Sequence, residues 1–148
     1  MLRRSLFTLA AIPFITPALA MPRVRAVNNA AGIALRGYDT VAWFTEGAPR
    51  RGSAAFAVEH AGATWHFAHA RHQALFAANP TAFAPAFGGF CAFGVARGYK
   101  VDIDPEAWHI EAGTLYLNYD LGVQRQWRRD IPGHIARATA NWPRLAEA

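Results

Sequence analysis

The sequence lacks the features that mark several common classes of protein. Cys91 is its only cysteine, so an internal disulfide is excluded. The chain has no CxxC pair, no CxxCH haem-attachment motif, no glycine-rich phosphate loop and no serine-centred nucleophile elbow. We therefore expect no nucleotide, no flavin and no covalently bound haem.

Runs of like charge are missing as well. The chain has 15 basic and 10 acidic residues, and no five or six like charges follow one another. Arg125, Arg128 and Arg129 have the spacing of the solvent-facing side of a helix rather than of a nucleic-acid patch. This pattern predicts that nucleic acid is not a partner.

The sequence also lacks an apolar run long enough to span a bilayer, which takes about 20 residues. The apolar stretch at 5–17 is shorter, contains two prolines and follows a basic start. It precedes Ala18-Leu19-Ala20, a small-x-small pattern suited to signal peptidase. We predict a cleavable signal peptide over 1–20, of either the twin-arginine or the ordinary Sec type. The mature protein is then periplasmic or secreted and has no membrane anchor.

The rest of the chain has the length of one domain. Residues 21–34 are aperiodic and rich in Asn and Ala, which predicts a flexible N-terminal arm. We expect residues 35–145 to form a single compact α+β domain, in which a small antiparallel sheet of two hairpins packs with several short helices.

Local patterns place the elements of this domain. Asp39 stands where it can cap a short helix that carries Val41 and Trp43. In the first hairpin, Trp65 and Phe67 should face the core. The predicted hairpins are 56–60 with 64–67 and 107–110 with 115–119, and the predicted helices are 68–79, 121–129 and 132–141.

The most unusual segment is FGGFCAFGVARG at 87–98, in which two glycines precede Cys91. If Cys91 lies at a helix N-terminus, free amides and the helix dipole would lower the pKa of its thiol and favour metal binding or nucleophilic attack. The alternative is an inert cysteine buried among Phe87, Phe90 and Phe93, because free cysteine is among the most buried residue types.

Three histidines recur at a spacing of three, at positions 66, 69 and 72. His69 and His72 would share one face of a helix that begins by Ala68, and two imidazoles one turn apart can hold a metal ion. His66 alternates with Trp65 and Phe67 and should point to the opposite face of its strand. The other interpretation is that His69 and His72 are solvent-facing or hydrogen-bonded.

Four segments resemble exported bacterial proteins with a YHS domain, and the likeness extends over nearly the whole mature chain. These are GYDTVAWF at 37–44, NP at 79–80, GGFCA at 88–92 and LYLNY at 115–119. The resemblance implies a small α+β domain of a family that is often suspected of binding metal and for which no general catalytic activity is established.

The chain departs from the cysteine-rich members of that family at one place. Those relatives, which include modules of heavy-metal transporters, carry two cysteines four positions apart, and these would fall on Ala68 and His72. His69 stands where the YHS segment that gives the family its name usually has Ser. Either histidines have replaced the lost cysteine ligands in this chain, or the metal site is absent. Cys91 matches the cysteine of the exported branch.

We therefore predict a periplasmic module that binds copper or zinc through Cys91, His69 and His72. Two alternatives stay open. The domain is a thiol-dependent enzyme or redox sensor that uses Cys91, or it is a non-catalytic interaction domain for a periplasmic protein partner, in which Cys91 is buried packing.

Overall fold

The structure, a computed structural model, describes residues 25–148, so the signal peptide predicted over 1–20 lies outside the described residues. The described chain is an α+β domain, as predicted. Its strands are β1 (Asn29–Ala30), β2 (Ile33–Ala34), β3 (Ser53–His60), β4 (Ala63–Phe67), β5 (Trp108–Glu111) and β6 (Thr114–Leu117). Its α-helices are α1 (Thr40–Thr45), α2 (Ala70–Ala78), α3 (Pro80–Phe83), α4 (Ala92–Ala96), α5 (Leu121–Trp127) and α6 (Ile131–Ala146).

Strands β3 and β4 form the first predicted hairpin, with Val58 opposite Trp65. Burial alternates along β4, because successive side chains of a strand point to opposite faces. Trp65 and Phe67 are buried as expected, whereas His66 is only partly buried on the other face.

The two hairpins do not form one antiparallel sheet, and in this respect the prediction was wrong. β5 and β6 make a separate two-stranded sheet. The first hairpin belongs instead to a mixed four-stranded sheet of order β1-β2-β4-β3, in which Ile33 of β2 pairs in parallel with Thr64 of β4.

The two strands that complete this sheet come from the segment predicted as a flexible arm. The described part of that segment, residues 25–34, packs on the domain, with Val27 and Asn28 buried. The amide N–H of Asn28 donates to the Gly88 carbonyl (2.8 Å), and its side chain donates to the Gly89 carbonyl (3.1 Å). Any side chain at Gly88 would overlap the Ala26 carbonyl, so the double glycine gives the N-terminal segment room to cross.

The helices follow the predicted order with shifted ends. α2 begins at Ala70 because His69 is its N-cap, and it ends before Pro80. The tail folds into α5 and α6, joined by a 3₁₀ turn, and α6 continues past its predicted end at 141 to Ala146.

Large apolar side chains fill the centre between the elements. Trp43, Phe67, Phe76, Leu115 and Leu117 are fully buried in one cluster, and each such side chain stabilises the fold by roughly 1.5–3 kcal/mol. None of the helices within 25–148 has the length and apolar character needed to cross a membrane. The cluster fixes α1 against α2, and the candidate site lies where these two helices meet.

Candidate metal centre

Asp39 is the fully buried anchor of this region. One oxygen of its carboxylate caps α1, accepting N–H bonds from Val41 (2.9 Å) and Ala42 (3.2 Å), as the sequence predicted. The other oxygen accepts from the Ala68 amide (2.8 Å) and lies 2.6 Å from Nδ1 of His72. Asp39 therefore joins the start of α1 to the start of α2.

The bond to Asp39 fixes the tautomer of His72. A carboxylate only accepts hydrogen bonds, so Nδ1 of His72 must carry a proton. In the neutral ring the lone pair is then on Nε2, which points to Thr45 and Glu46 at the other end of α1. A carboxylate that holds one ring nitrogen while the other is presented is the usual support of a metal-binding histidine.

The Thr45 hydroxyl lies 3.0 Å from Nε2 of His72 and within 3.2 Å of the Val41 carbonyl. A hydroxyl has one proton, so Thr45 can donate to only one of these groups at a time. When His72 is neutral, Thr45 donates to Nε2 and covers the lone pair. A metal ion on Nε2 would send the hydroxyl proton back to the Val41 carbonyl, which remains within reach.

His69 approaches the same point from the N-cap of α2. Its ring centroid is 4.0 Å from that of His72, and its Nδ1 accepts the His72 amide proton over a long 3.4 Å. A neutral His69 that caps through Nδ1 carries its proton on Nε2. To coordinate a metal through Nε2, His69 must move that proton to Nδ1 and give up this cap.

Glu46 completes a group of three side chains of the ligand type. Glu46, His69 and His72 each place one ligand atom within 4.8 Å of the other two. The Oε1 atom of Glu46 lies 3.9 Å from Nε2 of His72 and 4.0 Å from Nε2 of His69. The same oxygen accepts from Arg50 at 2.7 Å, so a metal ion would share Glu46 with this arginine.

A metal ion would require the three ligand atoms to move closer together. Bonds of about 2.1 Å in a tetrahedron put ligand atoms roughly 3.4 Å apart, about half an ångström closer than the Glu46 distances. The side chains of His69 and Glu46 are 39% and 33% exposed and can move, whereas His72 is 5% exposed and held by Asp39. His72 would thus be the fixed ligand of a metal ion, and His69 and Glu46 would move towards it.

A pocket of about 270 Å³ opens over this group, lined by Thr45, Glu46, His69, Arg71 and His72. Its walls are mainly polar. Liquid water takes about 30 Å³ a molecule, so the pocket has room for an ion and for further ligands.

Cys91 does not join the two histidines. It lies at the base of a different, mainly apolar pocket of about 310 Å³, whose lining includes Phe93, Tyr99 and Tyr119. Of the three predicted ligands, the structure brings together His69 and His72, with Glu46 in the third place.

The surroundings of Cys91 bear on both interpretations of its thiol. Cys91 is the N-cap of α4, and its Sγ accepts N–H bonds from Gly94 (3.4 Å) and Tyr119 (3.2 Å). These bonds lower the pKa, but burial outweighs them and raises the pKa of the Cys91 thiol above its ordinary value. Cys91 stands at a helix start, as the first interpretation supposes, but it is only 1% exposed within the main core, as the second supposes.

Sequence reasoning missed Glu46 and the contact of Asp39 with His72. The one available signal was the capping pattern, which put Asp39 at the start of α1 and left Glu46 just past its end. A helix of that length places its two ends about 9 Å apart, so both acidic residues could reach a partner packed alongside.

Comparisons with protein-family models, with curated proteins and with solved structures find no match to this chain. The resemblance to exported YHS-domain proteins therefore stays a prediction, and function is argued from the site.

Proposed function

We propose that this protein is an exported, YHS-like module that binds a borderline divalent metal ion, zinc or copper(II), through His69, His72 and Glu46. The observation that carries the proposal is the convergence of these three side chains within 4.8 Å, with the His72 ring held by buried Asp39. Two imidazoles and a carboxylate suit zinc or copper(II), and Cys91, which lines a different pocket, is not part of the group.

Two carboxylates around the group favour a cation, although Arg50 and Arg71 bring the formal charge of the site without an ion to zero. Asp39 and Glu46 contribute two carboxylates, and Asp39 is shielded from water. Arg50 offsets one of these charges through its bond to Glu46. Coulomb interactions are stronger away from bulk water. The negative charge of buried Asp39 would therefore attract the ion even though the His72 ring lies between them.

The thiol-dependent alternative loses support, since Cys91 is buried, has a raised pKa and contacts backbone amides and Asn118 instead of a base. A reactive thiol requires the opposite surroundings, electropositive and partly exposed.

The proposal is tested by calorimetric titration of Zn²⁺ into the metal-free mature protein. We expect one Zn²⁺ per chain, and a loss of affinity of at least about tenfold in His69→Ala and in Glu46→Gln, because each removes a direct ligand. His109→Ala is the matched control, since His109 also lies beside a carboxylate, 2.7 Å from Glu111 on the surface.

Cys91→Ala separates this site from the one predicted from the sequence and should bind Zn²⁺ like the wild type. The proposal fails if the wild type takes up no Zn²⁺, or if His109→Ala lowers affinity as much as His69→Ala does. Absence of binding would move the assignment to the interaction-domain alternative.

A further inference from the structure

The pocket above the metal group carries features that three ligands alone do not explain. Three protein donors fill three positions of a tetrahedral ion and leave the fourth to water or an added ligand. The 270 Å³ pocket lies against all three donor residues, so the space for a fourth ligand is on its side of the group.

Arg71 stands on the wall of this pocket. It is exposed, and within residues 25–148 its guanidinium forms no hydrogen bond and no ion pair, whereas the guanidinium of Arg50 is bound by Glu46. A planar guanidinium binds carboxylates and other oxyanions with two parallel N–H bonds, which a point charge cannot do.

The net charge of the loaded site decides the sign of a fourth ligand. With a divalent ion bound, the ion and the side chains of Glu46, Asp39, Arg50 and Arg71 together have a formal net charge of +2. The site also lies at the N-terminus of α2, whose free amides favour an anion. A neutral ligand would leave this charge uncompensated.

We infer that the loaded site binds a small oxyanion, of the carboxylate class, which displaces water from the fourth position of the metal and is held by Arg71. This inference rests on the proposed metal site. It makes the domain a receptor for a metal and an anion together, rather than a metal store closed by its own side chains.

The test uses the mature protein loaded with Co²⁺, whose visible absorption reports its coordination, and acetate as the anion. We expect acetate to change the Co²⁺ spectrum in a saturable way. In Arg71→Ala, Co²⁺ should still bind, but the affinity for acetate should fall about tenfold. The acetate affinity of Arg71→Lys should lie between those of the wild type and of Arg71→Ala, because Lys keeps the positive charge but lacks the two parallel N–H donors of the guanidinium. Arg125→Ala, which removes an exposed arginine from α5, is the matched control and should behave like the wild type.

The outcomes separate the two proposals. If Co²⁺ binds and acetate leaves its spectrum unchanged, the oxyanion inference is overturned and the metal site stands. If Arg71→Ala and Arg125→Ala bind acetate equally, Arg71 does not hold the anion and the inference is overturned as well. If neither Co²⁺ nor Zn²⁺ binds, both proposals fall.

Discussion

Replacement of Asp39 by Asn should reveal how much the stability of the fold and the affinity for Zn²⁺ depend on this one carboxylate. Asp39→Asn keeps size and shape but exchanges one acceptor oxygen for an NH₂ group. If the remaining oxygen continues to cap α1, the NH₂ faces the Ala68 amide and Nδ1 of His72. The Ala68 N–H then has no acceptor, and Nδ1 of His72 must become an acceptor, which moves its proton to Nε2.

The cost follows from these two changes. A buried donor without a partner costs about 1–3 kcal/mol, and a hydrogen bond to a charged group contributes about 1.5–3 kcal/mol. Because the Asn amide can still donate to Nδ1, we expect a net loss of about 2–4 kcal/mol in the free energy of unfolding. The proton on Nε2 must leave before a metal binds, so Zn²⁺ affinity should also fall about 10- to 100-fold.

Urea denaturation measures the first quantity and calorimetric titration the second. Asp120→Asn is the matched control, because Asp120 caps α5 through Val123 (2.7 Å), is exposed and has no further partner of this kind. Asn caps helices about as well as Asp, so the control should lose less than about 0.5 kcal/mol. The reasoning is refuted if Asp39→Asn is no less stable than Asp120→Asn.

Three further predictions concern Cys91 and the double glycine. Cys91→Ala should lower the free energy of unfolding by about 1–3 kcal/mol, because the N–H groups that donate to Sγ lose their acceptor; a change below about 0.5 kcal/mol in urea would contradict this. Burial raises the pKa of the folded thiol, so its contribution to stability is complete below the ordinary thiol pKa of about 8.5 and is lost as the pH rises above that value. Denaturation curves between pH 8 and 10 should show this fall in the wild type and less of it in Cys91→Ser, and parallel curves would exclude it. Gly88→Ala should be about 1–3 kcal/mol less stable than Gly62→Ala, because both positions have positive φ but only the Cβ at Gly88 meets backbone; equal melting temperatures would show that residues 25–34 can move aside.

The elements that could be predicted from the sequence are those fixed by near neighbours. The hairpin of β3 and β4, the cap at Asp39 and the stop before Pro80 each depend on residues within a few positions. The adjacency of His69 and His72 was also predictable, although it arises from an N-cap and its first turn instead of a shared helix face.

The features that could not be predicted depend on distant contacts. Strands β1 and β2 have two residues each, too few for any alternation to show, and they exist because β2 pairs with β4. The pKa of Cys91 depends on burial, which the whole fold determines, so its position at a helix start could not decide between the two interpretations. Glu46 lies beside the two histidines only because α1 packs on α2.

The central claim is that a metal ion binds between His69, His72 and Glu46. Diffraction from crystals soaked in Zn²⁺, measured on both sides of the zinc absorption edge, tests it most directly. The account predicts one anomalous peak, about 2.0–2.2 Å from Nε2 of His72, with His69 and Glu46 as further ligands. A peak on Cys91 Sγ instead, or no peak beside His72, would contradict it.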